Sequence, residues 1–151
     1  MRTAKQISVM LVNKPGRLAM LFETLNKEKV NLQALVVMDS GERGTLRFVP
    51  ENYEAAIGVL EKSGFRYETT DVLLVEVPSQ LGGFRKTCER LASEHLNIDY
   101  AYSAFDGSGK VRGGVLAVIR VNDLAKAQRV LSDNGGTSKR KRPGRRPVYA
   151  R

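Results

Sequence analysis

Two stretches of this chain, residues 7–60 and 73–131, carry one pattern twice. In the first, Ile7, Val9 and Leu11 alternate as a strand does, and the turn Asn13-Lys14-Pro15-Gly16-Arg17 follows. Leu18, Leu21, Phe22 and Leu25 then recur at helical spacing. In the second, Leu73, Val75 and Val77 lead through Ser79-Gln80-Leu81-Gly82-Gly83 into a helix carrying Phe84, Cys88, Leu91 and Ala92. The offset of 66 residues that lays Gly16 on Gly82 also lays Leu18 on Phe84, Leu25 on Leu91 and Asn31 on Asn97. Self-similarity at a fixed offset means that a whole supersecondary unit is duplicated. A fold that suits one half must therefore suit the other.

Each unit reads strand, helix, strand, strand, helix, strand. In the first unit strands are predicted at 6–12, 30–39, 45–49 and 65–70. Its second helix starts at the N-cap Asn52, carries Tyr53, Ala56, Ile57 and Leu60, and stops at Gly64. In the second unit strands are predicted at 72–77, 97–105 and around 111–121, with helices over 83–95 and after Asn122 or Asp123. Gly113-Gly114 reads as a bulge. The fourth strand of this unit is missing: after Asn134-Gly135-Gly136 the chain turns basic and rich in turn breakers. A sheet edge is then left that something must cover. The order βαββαβ, twice, predicts the α+β class, with two tandem ferredoxin-like units, antiparallel sheets and helices on one face. Right-handed crossovers put the first and third strands of each unit side by side. The predicted division is 1–70, 71–136 and a tail at 137–151.

A length of 151 residues fits one ordinary domain or two very small ones. A unit of roughly 65 residues folds alone only marginally, so the units are expected to lean on each other and a homodimer to bury more. Lys139 to Arg151 holds seven basic residues and no acidic one. Taking those from the 25 basic side chains leaves 18 against 16 acidic, a body of only +2. The high isoelectric point thus describes a tail, and nucleic acid is an expected partner only through it. No apolar run approaches the ~20 residues of a membrane span, so no membrane partner is expected. Residues 1–6 lead straight into a strand without a secretory apolar stretch. A single cysteine allows no internal disulfide, and the expected location is the cytoplasm.

The turn Asn13-Lys14-Pro15-Gly16-Arg17-Leu18, followed by Val30-Asn31-Leu32, resembles that of the ACT domain family, small βαββαβ modules that bind amino acids and regulate metabolic enzymes. Gly82-Gly83-Phe84 and Leu96-Asn97-Ile98 repeat the resemblance more loosely, which covers about residues 5–136. The chain looks like a small stand-alone protein of two ACT units. The resemblance implies an amino-acid sensor without catalytic activity, its ligand held between units by the turn of one and the second strand of another. The ligand-binding positions it implies are Leu11, Asn13, Lys14, Pro15, Gly16, Arg17, Leu18 and Asn31, with Ser79, Gln80, Gly82, Gly83 and Asn97 as second-unit counterparts. Gly16 and Arg17 would offer backbone N–H groups to the carboxylate; Asn13 and Asn31 would take the amino group or a polar side chain. Physics agrees with the turn: amides at a helix start are unpaired and partly positive, and glycine lets a ligand approach them. Leu11 stands where the family can place a histidine, which argues against serine as the specific ligand. Leu81 replaces the proline and Ser79 the asparagine, so the first turn is the better candidate for an intact site.

Other signals read as structure. Cys88 lies on an apolar helix face and His95, the only histidine, ends the same helix without a partner motif. No nucleophile–base pair, carboxylate dyad or metal cluster stands out, so no enzyme activity, cofactor or metal is expected. Arg43-Gly44-Thr45-Leu46-Arg47-Phe48-Val49 loosely resembles an RNA-recognition signature, but Thr45 and Arg47 stand where aromatic platforms must be. The alternative to a sensor is an assembly module that has lost ligand binding and pairs with an enzyme or regulator, or contacts a partner or nucleic acid through the basic tail.

Overall fold

The computed structural model describes residues 1–12, 14–39, 41–78, 80–105 and 114–133; the basic tail lies outside them, as do Asn13 and Ser79. The described elements are β1 (Arg2–Val12), α1 (Arg17–Lys27), β2 (Leu32–Asp39), β3 (Arg43–Pro50), α2 (Tyr53–Lys62), β4 (Tyr67–Pro78), α3 (Gly83–Ser93), β5 (Ile98–Ser103), β6 (Gly114–Val121) and α4 (Leu124–Ser132). The six strands form one antiparallel sheet in the order β2-β3-β1-β4-β6-β5. The predicted α+β class holds, and the first and third strands of each unit are neighbours: β1 beside β3, β4 beside β6.

One expectation about the strands is corrected and another is met in an unforeseen way. The strands predicted at 65–70 and 72–77 are one strand, β4, because Thr70 and Asp71 hold no breaker and the alternation runs through them. The predicted division at residue 70 therefore falls inside an element. The edge where a fourth strand of the second unit would pair is covered, as expected, by β1. β1 starts at Arg2 instead of residue 6, and Arg2–Lys5 pair with Leu74, Leu73, Val72 and Asp71. They stand where the second unit's last strand belongs, while Tyr67–Thr70 of β4 serve the first unit in the same way. The register makes this exchange symmetric. Lys5 pairs with Asp71, its own counterpart at the repeat offset of 66, so a pseudo-twofold axis passes through that pair. Lys5 Nζ reaches Asp71 Oδ1 at 3.0 Å and lies 5.7 Å from the centre of the Tyr53 ring. The hydrogen bond to Asp71 raises the Lys5 ammonium above its ordinary pKa.

All four helices lie on one face. Ile7, Val9, Leu46 and Phe48 pack under Leu21, Leu25, Ala56, Val59 and Leu60 of α1 and α2. Leu73, Val75, Ala117, Ile119 and Val121 pack under Leu91, Ala127 and Leu131 of α3 and α4. Each fully buried valine, leucine, isoleucine or phenylalanine among these contributes roughly 1.5–3 kcal/mol. Asn52 and Asp123 cap α2 and α4, accepting from the amides of Ala55 and Lys126 at 3.1 and 3.0 Å. The inward stripe of α3 is Gly83, Thr87 and Leu91 and not the predicted Phe84, Cys88, Leu91 and Ala92. Phe84 and Ala92 are exposed and Cys88 is half-buried. The cause is close approach: a Cβ at Gly83 would lie 2.1 Å from the Pro78 carbonyl oxygen, so the helix settles on its smallest residue. The register irregularities fall at Leu32/Ala34 and Ile98/Tyr100; Gly114, read as part of a bulge, opens β6.

The helix-free face is not open. Gln6 of β1 donates to the Tyr100 hydroxyl at 2.7 Å and accepts from the Tyr102 hydroxyl at 2.7 Å. In a flat sheet β5 would lie about 14 Å from β1, three strand spacings away. The sheet therefore curls until its edges touch, at an Ala34–Ala104 bridge and a Phe105 N–H to Gln33 carbonyl bond of 2.6 Å. Ala34, Val49, Val72, Leu74 and Val118 are buried inside the curl.

Candidate functional site

The two helix-start turns have one backbone. Gly16 (φ 83°, ψ −11°) and Gly82 (φ 82°, ψ 7°) are both left-handed, a conformation costly for any residue with a Cβ. Their carbonyls accept from Met20 and Lys86 at 3.0 and 3.1 Å. One residue on, Arg17 N–H donates to the Lys14 carbonyl at 3.3 Å and Gly83 N–H to the Gln80 carbonyl at 2.9 Å. The Arg17 amide thus already has an acceptor within the turn. Each cap residue is a glycine, with no side chain to offer the helix, so the partial positive charge of the helix start faces outward.

Surroundings differ. At the first turn Lys14, Pro15, Gly16 and Arg17 are exposed, and a Cβ on Gly16 would meet nothing within 4 Å. Leu18 and Leu11 are half-buried against the first core. Asn31 is far from them in its own unit. Val12 pairs with Arg43 at the turn end, whereas Leu32 pairs with Pro50 at the other, so roughly 23 Å of strand separates Asn31 from the turn. Asn31 ties the start of β2 to the segment before α2: its side chain donates to Glu51 Oε2 at 3.3 Å and its carbonyl accepts from Glu51 N–H at 2.9 Å. Asn97 does the same for β5, its N–H donating to Asn122 Oδ1 at 3.0 Å. A ligand touching both a turn and one of these asparagines must span two units.

At the second turn a cavity of about 580 Å³ opens between α3 and the sheet. Gln80, Leu81, Gly82 and Gly83 form one side, Phe84 and Arg85 the helix wall, and Val77, Ala101, Tyr102, Ser103, Val115 and Ala117 the sheet side. Of these, Gln80, Gly82 and Gly83 were predicted; the sheet residues were not. The hollow exists because the sheet positions beneath it are small. Ala117 stands opposite Val75 where the first unit sets Leu46 opposite Val9, and Ala101 opposite Ile119 where it sets Leu35 opposite Phe48.

Elsewhere the polar groups are accounted for differently. Thr45 and Arg47, the positions of the RNA-recognition resemblance, face into the curl, and the Arg47 guanidinium sits 3.9 Å from the centre of the Tyr100 ring. That face offers no platform for bases. His95 is exposed with φ 57°, the counterpart of Lys29 at φ 56°; both end a helix. Among the described residues no group of His, Cys, Asp or Glu is placed to hold a metal ion, and no helix is long and apolar enough to cross a membrane.

A family model described as an ACT domain pair matches residues 2–136. The structure is similar to that of protein BT0572 from Bacteroides thetaiotaomicron, with 33% sequence identity over 86% of this chain and 87% of that one and a TM-score of 0.78. It shares its fold with the regulatory subunits of aspartate kinase from Thermus thermophilus and Thermus flavus, at 14% and 16% identity. Both likenesses cover 87% of this chain, with 96% and 94% of the subunits and a TM-score of 0.60 in each case. No curated protein matches the sequence.

Proposed function

The chain belongs to the ACT domain pair family, and from that premise we propose that it is a regulatory protein without catalysis of its own, which binds a free amino acid at a helix-start turn where units border each other. The observation that carries this is the duplicated turn: an αL glycine at an uncapped helix start, held in both units. Partly positive amides and a bare backbone suit a carboxylate. The same fold forms the regulatory subunit of aspartate kinase in Thermus thermophilus, which supports a regulatory role. A ligand bound across a unit border favours one packing of the units over another, and that difference is what an enzyme partner or a second copy in a homodimer would read.

A thermal-shift screen against the twenty amino acids tests this. A ligand at ~100 times its dissociation constant adds about 2.7 kcal/mol of stability, a visible shift. A hit that vanishes when Gly16 or Gly82 is made bulky supports the reading; a flat screen on a folded protein overturns it. One observation favours the second reading, an assembly module: Leu81, Phe84 and Val115 stand 105%, 43% and 48% exposed beside one another at the second turn. Pull-down of a partner enzyme by a chain that binds no amino acid, unaffected by deleting residues 139–151, would establish it without the tail.

A further inference from the structure

We infer that the second unit's cavity takes a free amino acid with an apolar side chain. This rests on the regulatory reading above, with the second unit supplying every described wall of the site. The two units share their backbone, but two leucines that fill the first, Leu46 and Leu35, are alanines in the second. Leu46 is fully buried, so the loss at its counterpart Ala117 leaves real space beneath the helix. Nothing in the second unit grows to refill it: Phe84, in the place of Leu18, stays 43% exposed above the hollow. The resulting volume, about 580 Å³, falls in the ordinary range of small-molecule sites, roughly 300–1,000 Å³.

The walls decide the side chain. Val77, Ala101, Val115, Ala117 and Phe84 offer carbon to whatever enters, with the Ser103 hydroxyl on the sheet side as the exception. A hydroxyl, amide or carboxylate pressed against them loses water and gains no partner, a cost of about 1–3 kcal/mol. The polar end of the ligand has its place at the mouth, where α3 begins at Gly82 without a side-chain cap. Arg85 at the rim is held by Glu89 one turn further on, so among the described residues lining the mouth no side-chain charge is left unpaired.

Isothermal titration of the full chain with leucine, isoleucine, valine, methionine and phenylalanine, against serine, aspartate and lysine, tests the inference. Apolar amino acids are expected to bind roughly tenfold or more tightly than polar ones. Ala117→Leu, which restores the first unit's residue, should abolish binding. Ala101→Leu, on the exposed edge strand, gives a second blocking variant with little risk to the fold, and circular dichroism checks both. A polar amino acid binding as tightly as any apolar one overturns the inference but leaves the regulatory reading standing. So does binding undiminished in folded Ala101→Leu. Silence towards all eight overturns the inference, and silence towards all twenty in the thermal-shift screen overturns the regulatory reading as well.

Discussion

Inside the curl of the sheet, one half is polar and its symmetric counterpart is not. Gln6, Arg47, Tyr100 and Tyr102 come together on one side; their equivalents across the pseudo-twofold are Val72, Val118, Ala34 and Val36. The backbone is the same, so the difference shows two ways of closing one shape. The valine half closes by packing, which degrades gradually as atoms are removed. The tyrosine half closes by hydrogen bonds around a fully buried glutamine, and such a network fails together when one member is lost.

The largest effect should come from giving the polar half its counterpart's residue. Gln6→Val strips the Tyr100 and Tyr102 hydroxyls of their shared partner and should cost about 3 kcal/mol in urea unfolding. A cost below that of an apolar truncation would break the comparison. Val72→Ala, the matching change in the packed half, should cost about 2 kcal/mol through lost burial and a small cavity. Tyr102→Phe removes one bond and should cost about 1 kcal/mol near neutral pH.

The same tyrosine predicts a pH dependence. Burial pushes the Tyr102 phenol well above its ordinary value. The folded state therefore holds that proton more tightly than the unfolded state does. Its contribution to stability is complete below the unfolded value of about 10 and declines as pH rises beyond it. Alkaline melting curves should show that decline in the wild type and a shallower one in Tyr102→Phe; equal slopes would remove Tyr102 from the account. The smallest effect belongs to the axis itself. Asp71→Asn cuts an exposed ion pair that belongs to neither half and should leave the urea midpoint unchanged within error.

Much of this was legible in the residues. The repeat, the α+β class, the glycine turns before both first helices and the Asn52 cap all follow from local chemistry that acts within a few positions. What was not legible depends on distant pairing. Nothing near Arg2–Lys5 announces that these residues complete the second unit; only their register with β4 does. The phase of α3 was misread because Phe84 looks like a core residue while Gly83, which sets the approach, looks like a turn. The small residue Ala117 hid for another reason. The offset of 66 holds as far as β5, but the loop before β6 is longer, so Leu46 corresponds to a residue 71 positions on. Candidate residues at the turns could be named from a motif; the sheet residues that shape the hollow could be found only by strand pairing.

The exchanged strands also set an order of events as the chain is made. The first unit can close once β4 has emerged, since Tyr67–Thr70 supply its last strand. The second unit's last strand is already made by then, because Arg2–Lys5 precede β4 in the chain. Its first strand is drawn out directly beside that waiting edge, so β4 arrives paired on one side and needs only β6 on the other. The later half is thus templated by the earlier one, and a long-range contact that slows refolding from denaturant is, during synthesis, formed in sequence.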